Sequence, residues 1–262
     1  MASFYKYYSP TENRRKAIQE RYFWFSKAKS LNDPFDMCAK VITLFPCFEQ
    51  ALCKRYGDID SYYKKASQFG VCCFTSEPLN KHMWALYADS YKGWCLEFES
   101  NGIIDTSTTG VPSRFYDVHY YEQLPDLNNP QTEIEVSTRS GSHILQDFLK
   151  DERDEETLFA YLLSLKQKSI WENEKEKRLF LGNLYYSTNS AIDKDAKGYK
   201  IPWNDGKLKS IIMGYNTKEE DVDLLNNIAK INQVRLLQVH PIVPSTGFSL
   251  QIETIKDFSQ QQ

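Results

Sequence analysis

The sequence predicts an α+β fold, with a mixed, largely antiparallel sheet flanked by helices. Apolar runs rich in β-formers recur from the first residues to the last. Helical patterns of unequal length separate them, and no regular strand–helix–strand rhythm joins them. With 262 residues and no repeat, low-complexity tract or convincing linker, the chain suits one domain over 1–262. Exposed connections are expected near 122–141 and 182–204.

Phe4 to Tyr8 reads as a short edge or opening strand, broken by Ser9-Pro10. Thr11 to Glu20 is a polar helix that Ser9 or Thr11 can cap. Tyr22 to Ser26 is an aromatic strand, and Lys27 to Asp36 a loop in which Asn32 and Asp33 can each make a side-chain turn before Pro34. A helical region follows to about Tyr56, interrupted at Pro46, and another covers Asp58 to Gln68.

Gly70 to Glu99 organises the rest. Val71 to Thr75 is an apolar run fit for a buried strand, and Asn80 is a good N-cap for the pattern that begins at Lys81. Met83, Tyr87 and Tyr91 fall at i, i+4 and i+8 with Trp84 beside them, and Gly93 stands where a terminal glycine is expected. Trp94 to Glu99 alternates as a second strand would, with Cys95 opposite to Trp94 and Leu96. By itself this block is a core unit whose helix buries aromatics.

Beyond Glu99, Asn101 to Pro112 is a loop, Arg114 to Tyr121 a strand, and Glu122 to Gly141 an exposed connection. His143 to about Lys168 reads as helix, and Leu181 to Asn204 as loop. Lys207 to Met213 is a strand ended by Gly214, Glu219 to Lys230 a helix, and Gln233 to His240 a strand closed by Pro241. Phe248 to Ile255 is the last strand.

Composition narrows the function classes. A net charge of −3 argues against a protein that coats duplex nucleic acid through a basic face. The 17 Tyr, 15 Phe and 5 Trp suit a core and also suit stacking on bases or nicotinamide rings. The six cysteines form no C-x-x-C pair, and Cys72 and Cys73, as neighbours on a strand, point to opposite faces. The four histidines are scattered without metal-ligand spacing, so no metal site is expected. The first residues hold no apolar signal segment, and Val41 to Phe48, the longest apolar stretch, is too short to span a bilayer. A cytoplasmic protein with free thiols and no membrane partner is expected. No Walker, G-x-G-x-x-G or G-x-S-x-G motif occurs.

Several pieces together resemble the bacterial "domain of unknown function 2971" family. They are Tyr5-Lys6-Tyr7, Trp24-Phe25-Ser26, Asn32-Asp33-Pro34-Phe35-Asp36, Met83-Trp84 with Tyr87-Ala88-Asp89 and Lys92-Gly93, then Glu97-Phe98. Trp171, Glu174, Glu176 and Arg178 in WENEKEKR follow, and Leu208 to Gly214 closes the series. The family often carries histidines where this chain has Leu86 and Tyr91, so any step an imidazole performs in relatives is lost or replaced here.

The order of polar features is also similar to that of the ADP-ribosyltransferase superfamily, and that resemblance implies an arrangement for NAD as substrate. A first strand supplies a polar or basic residue for the ribose or phosphates, here Lys6 or Tyr7. A second carries a small hydroxyl, here Ser26. A late strand carries a glutamate, here Glu176, with Glu174 two places before it to orient the acceptor. A fixed carboxylate stabilises the oxocarbenium-like sugar cation formed when nicotinamide leaves. Arg178 would share the glutamate's face and pair with it or meet phosphates. The loop carrying Asn32 and Asp33 would fold over the bound nucleotide and offer Asp33 or Asp36 to a ribose hydroxyl, and Trp84 or Tyr87 would stack on a ring. The resemblance implies a toxin or phage-defence enzyme acting on an unknown acceptor protein or nucleic acid. The alternative is a non-catalytic nucleotide- or nucleic-acid-sensing module. More distant is a carboxylate nuclease built on Asp33, Asp36, Glu97 and Glu174.

Local readings stand beside these. Periodicity alone continues the preceding helix through Lys177, which makes Glu174 and Arg178 an ordinary i, i+4 surface pair contributing ~0.3–0.5 kcal/mol. Lys6 also reads as a strand-edge charge, and Asn32-Asp33-Pro34 as a turn satisfied by its own backbone.

Overall fold

The computed structural model describes residues 2–27, 30–31, 53–54, 57–66, 69–104, 113–122, 135–138, 141–144, 164–168, 171–181, 193–194, 197–245 and 247–259. Strand β1 (Ser3–Tyr8), helix α1 (Glu12–Gln19), β2 (Tyr22–Lys27), α2 (Ile59–Ala66), β3 (Gly70–Thr75), α3 (Lys81–Leu86) and β4 (Trp94–Glu99) come first. Next are β5 (Ser113–Asp117), β6 (His119–Tyr121), β7 (Glu135–Thr138), β8 (Gly141–Ile144) and β9 (Leu165–Gln167). A 3-10 turn (Trp171–Glu174) leads into β10 (Glu176–Leu181), followed by β11 (Asp193–Lys194), β12 (Gly198–Pro202) and β13 (Leu208–Met213). Helix α4 (Glu219–Ile231), β14 (Arg235–Ile242) and β15 (Ser249–Asp257) complete the described elements.

Eleven of the described strands form one sheet in the order β11-β12-β2-β3-β1-β4-β13-β14-β15, with β10 and β5 branching from β3. Its pairings are antiparallel except β13 with β14, which run parallel across the α4 crossover. This is an α+β fold with a mixed, mostly antiparallel sheet, as the sequence predicts. Period-2 alternation puts two apolar faces on it. Tyr8, Phe23, Phe25, Trp94, Leu96 and Phe98 face one core, which α1 and α4 cover with Ile18, Leu225 and Ile228. Tyr7, Cys95, Ile212 and Val239 face the other, where α3 inserts Trp84. Among the described residues no helix is long and apolar enough to cross a membrane.

Several expectations are corrected. Strand β1 is not at an edge: it lies between β3 and β4 and pairs with β4 from Ser3↔Glu99 to Tyr8↔Trp94. Helix α3 starts at its Asn80 cap, whose side chain accepts from the Met83 N–H, but it ends at Leu86. Asp89, Ser90 and Tyr91 take left-handed φ of 47°, 55° and 65°, so the apolar spacing to Tyr91 is not helical. Gly93 is instead a close-approach position, because a Cβ there would lie 1.9 Å from the Tyr8 carbonyl oxygen.

Arg114 to Tyr121 divides at Val118: β5 joins the main sheet beside β10, and β6 pairs parallel with β9. Leu165–Gln167 is therefore strand rather than a helix end, and β7–β8 occupies part of a stretch read as loop and helix start. Strand β12, in the second expected loop, pairs with β2 and buries Tyr199 and Ile201. Strand β14 runs through Pro241, which faces Leu250. The helical region expected before Tyr56 and the middle of the one after His143 lie largely outside the described residues.

Candidate functional site

The sheet is arranged so that it opens beside β3. One edge of β3 is filled along its whole length by β10, from Glu176↔Thr75 to Leu181↔Gly70. Its other edge is shared: β1 meets it at Tyr5↔Thr75, and β2 at Ser26↔Val71 and Lys27↔Gly70. Between those contacts β1 and β2 part, and a cleft of about 310 Å³ lies there. Lys6 and Tyr7 line it from β1, Ser26 and Trp24 from β2, Cys73 and Phe74 from β3, and Glu174 and Glu176 from the far side. The Lys6 ammonium donates to the Cys73 carbonyl oxygen at 2.8 Å, a strand-edge acceptor facing the gap.

The acidic wall is an ion network. Arg178 grips Glu176 with both arms of its guanidinium, Nε to Oε1 at 2.8 Å and Nη2 to Oε2 at 3.1 Å. Lys166 donates to Glu174 Oε2 at 2.8 Å and to Glu176 Oε2 at 3.1 Å, with its ammonium 4.5 Å from the centre of the Trp171 ring. The Tyr87 hydroxyl donates to the other Glu174 oxygen, and the Glu176 N–H donates to the Tyr120 hydroxyl at 3.0 Å. Lys166, Glu174, Glu176 and Arg178 are all buried.

Burial pushes the Glu176 carboxyl up, but the Arg178 guanidinium, then the Lys166 ammonium, outweigh it and hold the group down at about 2. The Cys73 thiol is pushed well above its ordinary range, by burial and then by the Glu176 carboxylate, so it stays protonated and is no nucleophile. Glu176 is thus an ionised carboxylate fixed in orientation before any ligand arrives. Such a group can stabilise positive charge developing on a bound sugar. Among the described residues no cluster of three His, Cys, Asp or Glu is disposed to hold a metal ion.

Of the residues singled out in the sequence, Lys6, Tyr7, Ser26, Tyr87, Glu174 and Glu176 line this one cleft. Tyr7 offers it little polar function, since its hydroxyl donates to the Glu77 carbonyl and burial pushes its pKa far up. Asn32 and Asp33 lie outside the described residues.

Two residues are placed differently from expectation. Trp84 is fully buried behind the cleft. It meets Tyr7 edge-on at 5.0 Å, stacks on Tyr91 at 5.8 Å and donates its indole N–H to the Pro78 carbonyl. It is core, whereas Trp24 and Tyr87 are among the rings on the cleft wall, with Tyr5, Tyr7 and Phe74. Arg178 is also fully buried and does not line the cleft; of the two roles expected for it, the pairing with Glu176 is the one formed. Glu174 and Glu176 do not share a strand either: Glu174 ends the 3-10 turn, Lys175 takes a left-handed φ of 47°, and only Glu176 enters β10.

Three further residues belong to the site and carry no mark in the sequence: Lys166 and Arg14, which line the cleft, and Tyr120, which meets the Glu176 backbone. Lys166 sits in a segment with helical apolar spacing, and nothing local marks it as the cation between two glutamates.

Over residues 83–179 the chain matches a family model described as "Protein of unknown function (DUF2971)". No curated protein and no solved structure matches. The matched segment runs from α3 to β10 and carries Tyr87, Lys166, Glu174, Glu176 and Arg178. The acidic wall of the cleft therefore lies in the part of the chain that is similar to the DUF2971 family.

Proposed function

We propose that the cleft binds NAD and that the protein is an ADP-ribosyltransferase-like enzyme. One observation carries this reading: Lys6, Ser26 and Glu176, from strands far apart in sequence, line a single cleft. In the proposed reaction the bond between nicotinamide and ribose breaks, nicotinamide leaves with the bonding pair, and Glu176 steadies the sugar cation. An acceptor nucleophile then attacks that carbon, with Glu174 orienting it and taking up its proton directly on its carboxylate. Tyr87 and Trp24 supply faces for a ring. Ser26 keeps its hydroxyl beside the ribose.

A second reading, a non-catalytic nucleotide sensor, is favoured by the fact that both carboxylates are held by cations of the chain itself. The two separate on NAD carrying label in its ADP-ribose part, incubated with the protein and cell extract. Nicotinamide release with transfer of label is expected for the wild type, and a fall to background for Ser26→Ala. Binding of NAD without release moves the assignment to the sensor. Absence of binding ends both.

A further inference from the structure

Several of the described cations near the sheet face carboxylates. Arg15 pairs with Asp221, Arg21 with Asp205, Lys177 with Asp117 and Lys207 with Glu99, while Lys166 and Arg178 hold the glutamates of the cleft. Among the described residues, two cations on the cleft wall are not ion-paired in this way. Lys6 and Arg14 both line the cleft, and among the described residues neither has a carboxylate within ion-pairing distance. Both lie against the same ring: Lys6 Nζ is 5.8 Å and Arg14 Cζ 5.7 Å from the centre of Tyr8. Tyr8 is itself held, buried and stacked on Trp94 at 6.3 Å. One rigid aromatic therefore places two unneutralised charges, from β1 and α1, at one end of the cleft.

Cys73 ties that end to the acidic one. Its carbonyl accepts from Lys6, and Cys73 lines the same cleft as Glu176, whose carboxylate helps to push its thiol up. The cationic end thus stands a single residue away from Glu176. A ligand that suits both ends carries neighbouring anionic groups, followed at short range by an electron-poor sugar carbon.

We propose that Lys6 and Arg14 form a pyrophosphate subsite, and that the substrates of this cleft are pyrophosphate-linked nucleotides rather than nucleosides. This rests on the transferase reading for the sugar end only; the subsite itself follows from the two cations. A guanidinium and an ammonium over one ring match the oxygens of adjacent phosphates, the guanidinium by its planar fork and the ammonium as a point charge. Arg14 takes the phosphate role that the sequence suggested for Arg178.

The test is calorimetric titration of the full chain with ADP-ribose, inorganic pyrophosphate and nicotinamide riboside, the last having no phosphate. Arg14→Gln is expected to weaken ADP-ribose and pyrophosphate about tenfold or more and to leave nicotinamide riboside unchanged. Arg15→Gln, which breaks the ion pair to buried Asp221, is expected to lower the melting temperature with the ADP-ribose affinity intact. Lys6→Gln and the salt dependence of wild-type binding give the same answer should Arg14→Gln not fold, with affinity falling as salt rises. Unchanged ADP-ribose affinity in Arg14→Gln, or no binding of either phosphate ligand to the wild type, overturns the subsite. Arg14-dependent pyrophosphate binding without nicotinamide release from NAD keeps the subsite and removes the transferase. Nicotinamide release with an undiminished affinity for NAD in Arg14→Gln does the reverse.

Discussion

Glu176 is both the candidate catalytic carboxylate and the counter-charge of a buried arginine, and the two roles are coupled. Replacing it by Gln leaves Arg178, fully buried, without its bidentate partner. Removing one member of a buried pair costs about 3–5 kcal/mol. Glu176→Gln is therefore expected to lower stability strongly, contrary to what a purely catalytic glutamate would do, and chemical denaturation measures the loss. Its pH dependence has a definite sign. The folded-state pKa is depressed from 4.5 to about 2, so the contribution is complete above the unfolded value and disappears as pH falls through the folded one. Wild-type stability should decline between about pH 4.5 and pH 2 by roughly 3 kcal/mol from this group, and Glu176→Gln should flatten that part of the curve. A variant with the same slope would place the acid sensitivity elsewhere.

The residue scale also shows what the sequence conceals. Spacing makes Glu174 and Arg178 an i, i+4 helical pair, but the bond formed is Glu176 to Arg178, i to i+2 along one face of a strand. Lys166 is less legible still, because a cation buried between two carboxylates is defined by tertiary placement and has no local pattern.

Elements with strong local signals were legible. The unit from β3 through α3 to β4 could be read from its apolar runs, its Asn80 cap and its alternation. The end of α3 was not, since Tyr91 continues the helical spacing while its backbone has already turned left-handed to stack its ring on Trp84. Strands β9 and β12 were missed for a related reason: three- and five-residue strands with Lys, Gly or Pro carry little period-2 signal and depend on partners distant in sequence. Asn80 has a further part at this scale. Besides capping α3, its amide donates to the Asn173 carbonyl and so ties the helix to the turn that carries Glu174. Asn80→Ala is expected to cost about 1–2 kcal/mol and to speed hydrogen exchange across 171–176. Unchanged exchange there would mean that the turn is positioned without the helix.

For the whole molecule, the decisive feature is one strand edge shared by two neighbours. Sequence patterns show that β1, β2, β3 and β10 exist, but not that β10 fills one side of β3 while β1 and β2 divide the other. Strand order is set by packing of both faces at once, and a period-2 pattern says only which face a side chain takes. That is why the chain could suggest Lys6, Ser26 and Glu176 from their order, yet left open Trp84 against Tyr87 and a glutamate against a phosphate for Arg178; Tyr87 lines the cleft, Trp84 is core and Arg178 holds Glu176.

The account turns on a pyrophosphate-linked nucleotide occupying the opening between β1 and β2. A crystal structure of the protein grown with ADP-ribose at saturating concentration tests this most directly. Ligand density is expected in the cleft, with phosphate oxygens within hydrogen-bonding distance of Lys6 and Arg14 and a ribose against Glu176. Density at another site, or an empty cleft at saturation, would contradict it.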